Sequence, residues 1–174
     1  MDVEETAARS LAWCAKEKCG IGSSSFSGIQ IVEAQVASRD RGLALFVTEQ
    51  PPYSILVRGI EQDVLPTTQR HGMVTLTHSS LAGGWLSGKW RKDAAPITLI
   101  ELAIEFVINH PGVTSAIICP RTMEQLVSQQ PAADITLSTE VLDRIDDLVS
   151  PGGTLDAHAN SCGATELLPS ARRR

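Results

Sequence analysis

Apolar runs of strand length alternate with amphipathic stretches of helix length along this chain, and the links between them are short. Leu43-Ala44-Leu45-Phe46-Val47 and Met73-Val74-Thr75-Leu76-Thr77 are such runs, as is the segment from Thr114 to Ile118. A poorer run, bracketed by Gly20 and Gly22, leads into Ser23-Ser24-Ser25. Strands and helices repeated in this way about four times predict parallel β-α-β units, because parallel strands need a crossover long enough to hold a helix. Leu43–Val47 is uniformly apolar, as expected of a strand buried on both faces, and Pro51-Pro52 forbid its continuation.

The helical periodicities fill the spaces between. Val3, Ala7, Leu11 and Cys14 fall on one face of a helix over residues 2–18. A second helix spans roughly Ser27 to Arg39, with Ile29, Val32 and Val36 inward and Gly42 as its stop. A third runs from about Ile60 to Arg70, bent at Pro66 and stopped by Gly72. Thr98 and Glu101 form a capping box for an apolar helix through Ile108, in which only Glu101 and Glu105 break the surface. After the last strand a helix opens behind Thr122, and a final one begins at Ser138 with a stripe of Val141, Leu142, Ile145, Leu148 and Val149. Pro151-Gly152-Gly153 closes it. One domain over residues 1–150 and an irregular tail over 151–174 follow.

With 174 residues, 43% of them hydrophobic, the chain has enough material for a buried core. A net charge of −5 argues against a nucleic-acid partner, and Arg172-Arg173-Arg174 is read as a solvated end. No run approaches the ~20 apolar residues of a membrane span. The acidic start Met1-Asp2-Val3-Glu4-Glu5 is unlike a signal peptide, so a cytoplasmic protein is expected. Cys14, Cys19, Cys119 and Cys162 fall into no metal-ligand or disulfide-scaffold spacing, and the four histidines are scattered. Free thiols and no metal are expected.

In parallel α/β folds the C-terminal ends of the strands gather on one face, and ligands bind there. The residues leaving these four strands are Ser24-Ser25, Gln50, His78-Ser79 and Arg121. The first three positions offer neutral hydrogen bonding or stacking. Arg121 sits between an apolar run and a helix start, where a planar, permanent cation suits a phosphate group. The grouping fits a nucleotide cofactor better than it fits catalysis by itself.

These segments resemble the C-terminal half of the aldo-keto reductases, NADPH-dependent oxidoreductases built on a (β/α)8 barrel. The matching stretches are Gly22-Ser23-Ser24-Ser25-Phe26, Glu49-Gln50-Pro51-Pro52-Tyr53-Ser54, Ser79-Ser80-Leu81-Ala82-Gly83-Gly84 with Gly88-Lys89, and Pro120-Arg121 with Glu124-Gln125-Leu126. They stand in family order and spacing from residue 2 to about 150. The resemblance implies an α/β fold, namely the C-terminal half of a TIM (β/α)8 barrel plus a C-terminal helix. It also implies a site for NADPH. Ser24, Ser25 and Gln50 would hydrogen-bond the nicotinamide carboxamide, with His78 stacked on the ring. Ser79, Leu81, Gly83 and Lys89 would lie along the pyrophosphate, Arg121 would meet the 2′-phosphate, and Gln125 would sit on the adenine side.

Several positions depart from the family pattern. Ser25 stands where asparagine is frequent, and His78 stands where a larger aromatic ring usually stacks. Cys119 replaces a usual glycine, Ser80 a usual proline, and Ser128-Gln129 an acid–amide pair. NADPH binding is therefore expected to be weakened. The family's catalytic aspartate, tyrosine, lysine and histidine belong to the first four β-α units, and none of their motifs occurs here. No catalytic residue is assigned, and Tyr53 lies in a segment that does not carry the proton donor.

Three readings follow. The chain is the cofactor half of a carbonyl reductase with independent catalysis unexpected, or a non-catalytic NADP(H)-binding or interaction protein, or a degenerate half-barrel completed by a partner. Half a barrel has open strand edges and an uncovered inner face, so a homo-oligomer or a complementary half-barrel chain is expected. Trp85 and Trp90 are expected to pack onto the barrel mouth.

Overall fold

The computed structural model describes residues 20–88 and 97–155. The readings placed on residues 2–18, Cys14, Cys19, Lys89, Trp90, His158, Cys162 and the tail beyond residue 155 lie outside the described residues. Four strands, β1 (Ile21–Ser24), β2 (Phe46–Gln50), β3 (Val74–Thr77) and β4 (Ser115–Ala116), form one parallel sheet in chain order. Helices α1 (Gly28–Asp40), α2 (Val64–Arg70), α3 (Leu99–Ile108), α4 (Met123–Gln129) and α5 (Thr139–Leu148) intervene or follow. This is an α/β fold and a partial (β/α)8 barrel. Because consecutive parallel strands lie side by side, their C-terminal ends rise together on one rim.

Helix α1 starts where the sequence places it. Ser27 accepts from the Gln30 backbone N–H while the Gln30 side chain accepts from Ser27, a reciprocal cap. The buried face is not the expected one. Ile29 is 72% exposed and Val32 and Val36 also face solvent, whereas Ile31, Ala34, Gln35 and Ser38 turn inward. Two features set this rotation. The Gly28 N–H donates to Asp63 Oδ2 at 2.8 Å, and a Cβ on Gly28 would lie 3.0 Å from the Asp63 carbonyl oxygen, so α1 is drawn against the start of α2 on its small-residue side. Gln35 Nε2 then donates to the Phe46 carbonyl at 2.8 Å from a fully buried position. Close approach and the buried bond from Gln35 Nε2 outweigh three branched side chains.

The apolar run after α1 also behaves differently. Gly42, at φ +64°, closes the helix, and Leu43 N–H returns to the Ser38 carbonyl. The next two residues carry the chain to the sheet, so β2 begins at Phe46 and ends at Gln50. Leu45 and Val47 are exposed, which contradicts burial on both faces. Val47 is exposed on the face it shares with Glu49 and Thr75, and Val74 on the opposite face beside Thr48.

Helix α2 is straight where a bend at Pro66 was expected. It starts at Val64 after a separate 3₁₀ turn, Gly59–Glu61, so Pro66 falls in the first turn, where no intrahelical N–H partner is required. Helix α3 carries the expected Thr98–Glu101 capping box. Glu105, expected on its surface, is buried instead. Its Oε1 accepts from Asn109 Nδ2 and from the Leu137 backbone N–H, tying α3 to the segment before α5. In α5 the stripe holds at Ile145 and at Val149 just beyond the helix, while Leu148 is 72% exposed. β4 pairs with β3 over two residues only, extended by Thr114 N–H to the Thr75 carbonyl and Ile117 N–H to the Thr77 carbonyl.

A polar clamp ties the segment after β2 to α5. Arg58 lies across the Phe106 ring and bridges Glu61 at 2.8 Å and Asp146 at 2.7 Å, while donating to the Val149 carbonyl. Glu61 also accepts from the Tyr53 hydroxyl at 2.6 Å and from the Gly152 N–H at 2.9 Å. Residues from Gly153 to Leu155 pair with Leu56, Val57 and Arg58, so the start of the expected tail is packed on the domain.

Candidate functional site

The ends of β1, β2 and β3 are bound to one another. Ser24 Oγ donates to the Gln50 carbonyl at 2.9 Å, and the Ser25 N–H reaches the same oxygen at 3.3 Å. Beyond Gln50, the His78 N–H donates to the Pro51 carbonyl and the Tyr53 N–H donates to the His78 carbonyl. The two prolines thus end β2 without releasing it from β3. Ser24, Ser25, Gln50 and His78 share one rim.

On the β3–β4 side of that rim lies a cleft of about 730 Å³. Six of the ten residues expected to hold a cofactor line it: His78, Ser79, Leu81, Gly83, Arg121 and Gln125. Ser24, Ser25 and Gln50 stand on the neighbouring strand ends and do not line it. Lys89 lies outside the described residues.

Backbone conformation concentrates here. Ser25, Ser79 and Ala82 are the described non-glycine residues at positive φ, with values of 62°, 63° and 47°. Each follows a strand end or turns the loop beyond β3. Left-handed backbone at residues with a Cβ costs free energy and recurs at ligand-binding turns. Gly83, at φ +65°, supplies the same geometry without that cost inside the 3₁₀ turn Ala82–Gly84.

The cleft mixes one permanent cation with neutral polar groups. Arg121 is exposed, and its backbone N–H is held by Gln125 Oε1 at 2.8 Å, while Thr122 caps the Gln125 N–H. Helix α4 has seven residues, so the positive character at this end rests on the guanidinium. His78 Nδ1 lies 2.9 Å from Ser79 Oγ at the other end. Between them Ser80 Oγ, Ser87 Oγ and Gln129 Oε1 are buried without a hydrogen-bond partner. Orphaned buried oxygens also occur away from the cleft, at Gln35, Ser38, Glu49, Ser54, Glu105 and Thr154, so these three do not by themselves mark a ligand. The lining, with the Arg121 guanidinium and the serine hydroxyls as donors, fits a phosphorylated nucleotide. Among the described residues no cluster of His, Cys, Asp or Glu is built to hold a metal ion, and no helix is long and apolar enough to cross a membrane.

Two sequence readings change at the cleft. Trp85, expected to pack on the barrel mouth, is 71% exposed and forms part of the wall. Ser80 and Gln129, noted as departures that weaken the site, supply two of its three orphan atoms. Cys119 is an exposed thiol on the lining. Tyr53 is fully buried, and burial together with the Glu61 carboxylate pushes its phenol well above the usual range. A tyrosine in that state is no proton donor for the rim.

Glu49 escaped notice as a single residue, although it stands in a quoted motif. It is fully buried beside the rim, and its Oε1 accepts from the Phe26 backbone N–H at 3.0 Å. Burial raises its carboxyl above the ordinary value, opposed by the neighbouring Ser23 hydroxyl and the Phe26 N–H. An isolated glutamate in a strand pattern gives no signal of this kind.

Residues 19–98 match the Aldo/keto reductase family. An uncharacterized oxidoreductase, YrpG, of Bacillus subtilis (strain 168) is 36% identical over 169 residues, covering 80% of this chain and 52% of that protein. A probable voltage-gated potassium channel subunit beta of Arabidopsis thaliana is 28% identical, covering 74% of this chain and 51% of that subunit. Protein tas of Escherichia coli (strain K12) is 26% identical, with coverages of 72% and 46%. The chain spans about half the length of these relatives.

Proposed function

We propose, for a chain that belongs to the aldo/keto reductase family through residues 19–98, that the rim and its cleft hold NADP(H). The observation that carries this reading is the gathering of His78, Ser79, Leu81, Gly83, Arg121 and Gln125 around one cleft at the strand ends. Arg121 takes the 2′-phosphate by paired N–H donors, with Gln125 on the adenine side. The turn from Ser79 through Leu81 and Gly83 follows the pyrophosphate. His78 stacks on the nicotinamide, and Ser24, Ser25 and Gln50 orient its carboxamide. Bound in this way, the cofactor supplies the hydride for reduction of a carbonyl compound.

The proton for that reduction comes from outside the described residues, since Tyr53 is committed to the core. Independent catalysis is therefore not assigned to this chain. A non-catalytic NADP(H)-binding or interaction role is the second reading, favoured by the same burial of Tyr53. In either case the face of the sheet on which Val74 is exposed, shared with Thr48, seeks cover from a second copy or a complementary half-barrel. Elution at monomer mass in gel filtration of the lone chain would contradict self-association.

Titration with NADPH, followed by the emission of the bound nicotinamide, tests the cofactor reading. Saturable binding that is lost in Arg121→Ala supports it. Absence of binding at millimolar cofactor overturns it and leaves a degenerate half-barrel.

A further inference from the structure

Glu49 has a role that the cofactor reading does not by itself supply. The turn Ser24-Ser25-Phe26 carries two of the groups assigned to the nicotinamide, and Ser25 at its centre is left-handed, at φ +62°. Left alone, a serine prefers to leave that conformation. Hydrogen bonds from the turn end on Glu49 and Gln50. The Ser24 hydroxyl and the Ser25 N–H share the Gln50 carbonyl, at 2.9 and 3.3 Å. Any residue at position 50 provides that oxygen. The bond from the Phe26 N–H to Glu49 Oε1 at 3.0 Å depends instead on the side chain of its acceptor.

That side chain is a poor choice for stability. Glu49 is fully buried, its Oε2 has no hydrogen-bond partner, and no cation faces it in an ion pair among the described residues. Burying a carboxyl against the Phe26 N–H and the Ser23 hydroxyl, with one oxygen left unpaired, costs more than an apolar side chain of the same volume would. A group kept at such a cost, beside a strained turn, is accounted for by the geometry it enforces.

We infer that Glu49 is a positioning residue, the latch that holds the Ser24–Phe26 turn in its left-handed form and so presents Ser24 and Ser25 to the nicotinamide end of the cofactor. The latch acts only on the strand ends beside the cleft. It leaves the adenine end, at Arg121 and Gln125, untouched.

The inference rests on the NADP(H) reading, and two ligands separate them. NADPH spans both ends of the site, whereas adenosine 2′,5′-bisphosphate occupies only the adenine end. Affinities for both are measured by calorimetry on the full chain and on Glu49→Gln, Glu49→Leu and Glu49→Asp. Glutamine keeps the acceptor, leucine removes it at similar volume, and aspartate withdraws it by one methylene. Glu49→Leu is expected to weaken NADPH about tenfold, the equivalent of one lost restraint. The bisphosphate should bind as before, and Glu49→Gln should match the unsubstituted chain for both ligands. Should Glu49→Leu fail to fold, Glu49→Asp is expected to weaken NADPH relative to the bisphosphate. An unchanged ratio of the two affinities in Glu49→Leu or Glu49→Asp overturns the latch while leaving the cofactor reading intact. Failure of the unsubstituted chain to bind either ligand overturns the cofactor reading, and the latch with it.

Discussion

Gly22 in β1 is packed so closely on Thr48 in β2 that a Cβ at position 22 would overlap the Thr48 hydroxyl. The register between these strands shifts at Ile21–Gly22, and the two residues stay paired across that irregularity. Gly22→Ala should force β1 off β2 and cost about 1–3 kcal/mol, as overpacking does. The midpoint of urea unfolding reads this directly, and an unchanged midpoint contradicts the close approach.

Glu49 gives stability a pH dependence of a definite sign. Its carboxyl is raised in the folded state, chiefly by burial, so its contribution is fully present below the unfolded value near 4.5 and is lost as pH rises through the folded value. Glu49→Gln removes that loss. The variant should be more stable than the parent at pH 7, with the difference shrinking towards pH 4, as thermal melts across that range will record.

His110 titrates in the opposite sense. Burial lowers its imidazole below the ordinary value, with Glu61 opposing and Arg58 assisting. Its neutral Nδ1 accepts from the Gly112 N–H at 3.0 Å. The stability it supports is present above about pH 6.5 and is lost as pH falls through the lowered folded value. His110→Asn should flatten the acid limb of the stability profile below about pH 6.5.

Arg58 is the most consequential charge in the core, since Glu61, Asp146 and the Val149 carbonyl all depend on it. Arg58→Met would leave Glu61 nearly buried and without its cation. A loss of about 3 kcal/mol is expected, because breaking a buried pair strands the partner. Denaturant unfolding will check it, and a loss under about 1 kcal/mol would place the pair among surface ion pairs.

Much of the architecture was legible in the residues. Thr98–Glu101 and Ser27 mark helix starts, Gly42 and Gly72 mark stops, and Pro51 ends β2, because caps and breakers act locally. What periodicity could not decide was which of two faces turns inward. On α1 the apolar stripe Ile29–Val32–Val36 lost to a face carrying Gln35, whose bond to Phe46 exists only once the sheet is assembled. Glu105 misled for the same reason, since its partner Leu137 lies 32 residues away.

At the site, the strand-end residues were readable from the parallel topology and the family motifs. The orphan atoms of Ser80, Ser87 and Gln129 were not, because the lack of a partner is a property of the folded cleft. Glu49 was hidden likewise: a lone acid beside Gln50 carries no pattern, and its bond to Phe26 spans 23 residues.

Amide hydrogen exchange with and without saturating NADPH probes most directly whether the separate strand ends serve one dinucleotide. Slowed exchange should appear together in three segments, around Ser24–Phe26, from His78 to Gly84, and from Cys119 to Gln125, with the Arg58–Asp146 clamp unaffected. Protection confined to a single segment, or spread evenly over the chain, would contradict the shared site.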